Sequence, residues 1–205
     1  MSKKIRPLFD FYGKGFLPPP FLPAISLAVF LAACAAPLKE FYPDSYFTED
    51  GIYQNKPIGF TLVFRGNWNI VTDPQKMERG SRAFARRLME ASAELLFVGT
   101  TVEKTQGVRA IAINLNIPCG AYAEKIRSLN KAEVTEDFGI TPLLLNNMPM
   151  TRWDYTVKNF RFVEFFFTLD TYNVRIAFWT KPEIFERFET VYLDIISSLS
   201  FVGRI

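Results

Sequence analysis

The chain of 205 residues is 49% hydrophobic and 16% aromatic, and its 24 basic against 21 acidic residues leave a net charge of +3. So apolar a composition excludes an intrinsically disordered polymer. The sequence contains no histidine, which excludes a Ser-His-Asp triad, a Cys-His pair and any imidazole-ligated zinc or iron site built within this chain.

The N-terminal segment has the order of parts found in export leaders. Lys3, Lys4, Arg6 and Lys14 outweigh Asp10, and positive charge is retained on the cytoplasmic side of a membrane. Phe21 to Leu31 is an apolar run too short to span a bilayer alone. Leu31-Ala32-Ala33-Cys34 then places small residues before a cysteine, and these four residues resemble the lipobox of a bacterial lipoprotein signal peptide. The resemblance implies that residues 1–33 are removed and that Cys34 becomes an acylated, palmitate-bearing N-terminus. Ala35 and Ala36, where an aspartate favours inner-membrane retention, imply the outer membrane of a bacterial envelope, facing the periplasm. Several acyl chains hold a protein durably where one holds it marginally. An uncleaved anchor helix is the competing reading, because no charge separates Lys14 from Lys39. Against it stand Pro18, Pro19, Pro20 and Pro23, which break helix where lipid demands complete backbone hydrogen bonding.

Loss of the leader removes the whole positive excess and leaves 172 residues near neutrality. A nucleic-acid partner loses its electrostatic basis, and the expected partners are the membrane, through the anchor, and another envelope protein. The expected organisation is a leader at 1–33, a lipidated tether at 34–50 and one domain at 51–205.

Within the domain, Ile52 to Ile70 reads as β structure, with Gly66-Asn67 as a turn before Trp68. Asp73-Pro74 reads as a helix start, and Met77, Phe84, Leu88, Ala91 and Leu95 share one face of the helix that would follow. Its opposite face carries Arg79, Arg82 and Arg86, either a stripe for anionic lipid headgroups or a solvated face partly offset by Glu78, Glu90 and Glu94. Leu95 to Glu103 and Val108 to Ile117 read as strands joined at Gly107, and Ala121 to Lys131 as a second helix. Cys119, with Cys34 acylated, has no disulfide partner. At a helix start its thiol could be activated, but a small, partly buried apolar role is the favoured reading.

Thr135 to Met150 has no clean period and contains Pro142, Pro149 and Asn146-Asn147. It is expected to be a loop, either a ligand or partner site through Leu143, Leu144, Leu145 and Met148 or a lid on the core. Beyond it, Trp153 to Val157, Phe160 to Leu169 and Val174 to Thr180 read as an antiparallel meander. Thr180 and Glu183, with Pro182, read as a capping box. The helix that follows puts Phe185, Phe188, Tyr192, Ile195, Ile196 and Leu199 on one face. The aromatics Phe162, Phe166, Phe178 and Trp179 read as core rather than as a ligand platform.

The segment Gly59 to Val71, the strand Leu95 to Gly99 and the terminal unit Ile196 to Phe201 are similar to elements of PsbP-like proteins, which include DcrB-type lipoproteins. Arg65 stands where that family commonly has proline. The resemblance implies an α+β fold, a single α/β/α sandwich on a mainly antiparallel sheet, and mostly binding or assembly roles. Three classes of function remain: a non-catalytic, lipid-anchored binding or assembly module; a carrier with an apolar pocket between the aromatic sheet and the 135–150 loop; and an enzyme using Glu133, Glu136, Asp137 or Asp154, or the Cys119 thiol. No metal site and no cofactor is expected.

Overall fold

The computed structural model describes residues 46–201, so the leader, the lipobox Leu31, Ala32 and Ala33, Cys34 and most of the tether lie outside the described residues. Strands β1 (Tyr46–Phe47), β2 (Ile52–Asn55) and β3 (Phe60–Val63) are followed by β4 (Trp68–Val71), helix α1 (Arg79–Glu90), β5 (Ala93–Thr101), β6 (Gln106–Asn114) and helix α2 (Cys119–Asn130). The chain continues through β7 (Glu136–Leu145), β8 (Met148–Val157), β9 (Phe160–Leu169), β10 (Tyr172–Thr180), helix α3 (Phe185–Ser197) and β11 (Ser200–Phe201).

Seven strands form one sheet in the order β4-β5-β6-β10-β9-β8-β7, and all its pairings are antiparallel. Its central strands alternate two apolar faces. Val163, Phe165, Phe167, Val174, Ile176 and Phe178 pack with Tyr192, Ile195 and Ile196 of α3. Phe162, Phe166, Trp153 and Tyr155 pack with Tyr122 and Ile126 of α2 on the other side. A sheet apolar on both faces needs two covers. Helices α1 and α2 form one, and α3 shares the other with a second sheet, β1-β2-β3-β11. The expected α/β/α sandwich is thus present, with one cover part helix and part sheet.

The 135–150 segment is not a loop. It is the β7–β8 hairpin, whose turn places both Asn146 and Asn147 in the left-handed region, at φ 50° and 62°, as a tight two-residue turn requires and asparagine tolerates. The prolines that broke the pattern sit where a strand accepts them. Pro142 lies on β7, the sheet edge, and Pro149 precedes Met150, the first β8 residue paired with β9. The Asn146 amide also donates to the Ser197 and Leu199 carbonyls, at 3.0 and 2.9 Å, so the hairpin tip closes the open end of α3.

Other local expectations shift for equally specific reasons. Asp73-Pro74 makes a turn, with the Asp73 side chain accepting from the Gln75 amide at 2.8 Å, and α1 starts only at Arg79. Met77 is buried ahead of that helix, Ala91 is exposed at its end and Leu95 belongs to β5. The capping box does not form, because the Thr180 hydroxyl donates to the Thr105 carbonyl at 2.7 Å and a 3-10 turn, Pro182–Ile184, leads into α3. Gly107 is not a turn residue either. The left-handed position of the β5–β6 turn is Lys104, whereas Gly107 lies within β6, where a Cβ would run into the Trp179 indole.

Gly107→Ala is therefore expected to lower unfolding stability by about 1–3 kcal/mol, as overpacking does. Gly120→Ala, inside α2 where a Cβ meets only Thr151 Oγ1 at 3.7 Å, is expected to leave stability unchanged or raise it by about 0.5–1 kcal/mol. Urea unfolding of the two variants checks the contrast.

Candidate functional site

The outer face of α1 is the most strongly charged helix surface. Arg79, Arg82, Arg86 and Arg87 are all exposed and Glu90 is the helix's only carboxylate. Arg79, Arg82, Arg86 and Met89 follow one another by three, four and three residues, so they share a side, and Met89 is 65% exposed. Among the described residues, no carboxylate lies within ion-pair distance of Arg79, Arg82 or Arg86. Glu78 precedes the helix without capping it. Glu94 does not offset the stripe. It pairs in register with Ala112, which packs on the opposite side of the sheet, and its charge acts on Tyr53 there.

Several arginines elsewhere are engaged. Arg127 binds Asp137 at 2.6 Å, joining α2 to β7. Arg152 binds Asp154 at 2.6 Å and Glu189 at 2.5 Å, joining β8 to α3, and the two carboxylates hold its charge well above the ordinary range against the cost of burial. Arg161 lies between the Phe138 and Phe185 rings, 4.1 and 4.6 Å from their centroids. A bulge between Asp137 and Gly139, with Gly139 at φ 93°, accompanies that placement of Phe138.

Beneath the two-helix layer lies a charged cluster that the sequence reading missed. Glu164 of β9 is fully buried and accepts from Arg175 at 3.3 Å and from the Tyr155 hydroxyl at 3.2 Å. Burial first, and then the Glu164 charge, push the Tyr155 phenol well above its usual range. Arg109 and Glu164 flank Ala177 from the two neighbouring strands, and the Arg109 guanidinium lies over the Phe84 and Trp179 rings at 5.4 and 5.9 Å. The available signal was Glu164, set within the apolar stretch Phe162 to Phe167 of β9, and Arg175, the one charge of β10. With these side chains packed among aromatic rings, the cluster is structural.

The expected catalytic groups do not converge. Asp137, which also accepts from the Trp153 indole at 3.1 Å, and Asp154, bound toward α3, lie on opposite faces of the sheet. Glu136 is exposed at the start of β7, and Glu133 lies in the turn after α2. Cys119 opens α2 and is partly buried. Its sulfur is 3.4 Å from Thr151 Oγ1 and 3.6 Å from the Pro149 carbonyl. Of the four apolar residues assigned to the supposed loop, Leu143 and Leu145 pack against the core, Met148 is buried within it, and Leu144 is 69% exposed.

A second surface feature was not foreseen. On the outer side of the small sheet, Phe47, Ile52 and Val63 are cross-strand neighbours in one row. Val63 also lines an open groove of about 280 Å³ with Arg65, Gly66, Val191, Asp194 and Ile195. The result is an apolar strip with one charge of each sign at its end. Another open groove, of about 420 Å³, lies between the end of α2 and β7, lined mainly by polar residues such as Arg127, Lys131 and Asp137.

Two outcomes follow from the buried charges. Glu164→Gln strands Arg175 and is expected to cost about 3–5 kcal/mol, whereas Glu164→Leu with Arg175→Met is expected to cost much less, as read by chemical unfolding. Burial raises the Glu94 carboxyl from its ordinary 4.5 to about 7. The folded state therefore binds the extra proton between those values, and stability falls as pH rises through that window, then levels above it. Glu94→Gln is expected to remove this slope and to raise stability at pH 8 by on the order of 1 kcal/mol, solvent screening reducing the full effect. Thermal unfolding across pH checks it.

Neither family models nor curated proteins give a match to the chain. Among solved structures, the chain is similar to cyanobacterial PsbP (CyanoP) from Synechocystis sp. PCC 6803, with a TM-score of 0.52 and 8% identity over 73% of this chain and 91% of that one. It also aligns with PA94 from Pseudomonas aeruginosa at a TM-score of 0.39 and 9% identity, over 46% of this chain and 72% of that one. The fold of the described residues is PsbP-like.

Proposed function

We propose that the protein is a lipid-anchored, non-catalytic binding or assembly module of the bacterial envelope, of DcrB type, held through Cys34 at the outer membrane and contacting another envelope protein. The observation that carries this reading is the apolar strip formed by Phe47, Ile52 and Val63, continued by the half-buried Val191. Apolar surface in a continuous row, rimmed by polar residues, is characteristic of protein contacts. Arg65 and Asp194 at its end add charges of both signs that would fix the orientation of a partner. The strip begins at Phe47, thirteen residues after Cys34, a length that keeps it within about 45 Å of an anchoring bilayer. The PsbP-like fold agrees with this reading because its sheet is covered on both faces, leaving outer surfaces for recognition.

Mass spectrometry of the full-length protein recovered from its membrane is expected to find an acylated Cys34 at the N-terminus. An unmodified cysteine, or a retained leader, would remove the anchor from the account. Photocrosslinking from Ile52 in the native membrane is expected to give one discrete protein adduct. Phe47→Ser with Val63→Thr is expected to abolish that adduct without changing the thermal unfolding midpoint. An adduct indifferent to those substitutions would exclude the strip as the contact.

A further inference from the structure

We infer that the α1 face formed by Arg79, Arg82, Arg86 and Met89 is a docking surface for anionic phospholipid headgroups, so that the tethered domain lies on the bilayer with its α1 layer down. The inference rests on the tethered-module reading for what brings the domain to the membrane, and adds which face meets it.

Three independent features support this assignment. The first is pairing: Arg127, Arg152 and Arg175 are each held by a carboxylate, while none lies within ion-pair distance of Arg79, Arg82 or Arg86 among the described residues. The second is position. Arg79 and Arg82 occupy the first turn of α1, which contains no acidic residue. Cations there oppose the positive end of the helix dipole, whereas a phosphate at the same place is favoured by both. The third is Met89, 65% exposed on the same side as Arg82 and Arg86. A basic helix face with an apolar side chain at its level fits the boundary between headgroups and acyl chains. The guanidinium fork suits phosphate oxygens, and the four residues extend along about 15 Å of helix.

The charge distribution sets the direction. α2, on the same side of the sheet, has Lys125 and Arg127 against Glu124 and is followed by Lys131. α3, on the other side, has Glu186, Glu189 and Asp194 against Arg187. An anionic surface therefore attracts one layer and repels the other.

The test uses full-length protein carrying a photocrosslinking amino acid at Met89, reconstituted in vesicles of phosphatidylcholine with or without phosphatidylglycerol. Lipid labelling from Met89 is expected to require phosphatidylglycerol, to weaken as salt is raised, and to fall several-fold in the Arg79→Gln, Arg82→Gln, Arg86→Gln variant. The same probe at Glu186 on α3 is expected to label lipid far less. Equal labelling from the two sites, labelling indifferent to the arginines, or labelling of protein in place of lipid would overturn the inference. Flotation of the vesicles reports the tether separately. Protein that fails to float contradicts the anchor reading, while the Met89 result still decides the face.

Discussion

Burial of β9 and β10 on both faces is the constraint from which the rest of the molecule follows. These strands occupy the interior of a seven-stranded antiparallel sheet, and their side chains alternate between two apolar clusters. Neither face can be left to water, so the chain supplies helices α1 and α2 to one and helix α3 with a small sheet to the other. The aromatic side chains fill this interior. Trp153, Tyr155 and Phe162 stack in succession, at centroid separations of 3.9 and 5.1 Å, and Phe178 stacks on Tyr192 of α3 at 4.8 Å. Glu164 and Arg175 tolerate the same interior only because each answers the other's charge, which ties β9 to β10 by more than their ladder.

A sheet filled in this way leaves the chemical contrasts of the molecule to its outer surfaces. The outer surfaces are unlike one another: the α1 side is rich in arginine, the α3 side carries more carboxylates, and the small sheet presents an apolar row. The edge at β7, where unpaired backbone would invite another strand, is interrupted by Pro142 and by the bulge at Asp137 to Gly139, devices that discourage pairing with another chain. Under the proposed reading, anchoring, orientation and partner contact fall to different surfaces of one body. The near balance of charge over the whole chain, +3, conceals this difference, because charges of opposite sign cancel across the sheet rather than within each layer.

Much of the fold was legible in the sequence, through period and turn chemistry. The meander from Trp153 to Thr180 read as three strands, and the spacing of Phe185, Tyr192, Ile195 and Ile196 marked the face that α3 buries. What failed shares a cause, in that long-range contact overrode a local signal. Pro142 looked like a loop residue because a sheet edge cannot be distinguished from a loop without its neighbours. Thr180 resembled a helix cap, yet Thr105 lies closer to its hydroxyl through the tertiary fold. Gly107 resembled a turn, and its reason is the indole of Trp179, 72 residues away in sequence. The arginine stripe was visible from spacing alone. The apolar row was not, since Phe47, Ile52 and Val63 become neighbours only through strand register.

The central claim is an interior filled on both sides of the large sheet, with the proposed contacts confined to outer faces. Hydrogen exchange of the full-length protein, compared in detergent and on membranes containing anionic lipid and its envelope neighbours, tests that claim most directly. Added protection is predicted in α1 and in residues 46–63, with β9 and β10 exchanging slowly and equally in both states. Altered exchange in β9 and β10, or protection centred on the β7–β8 hairpin, would contradict it.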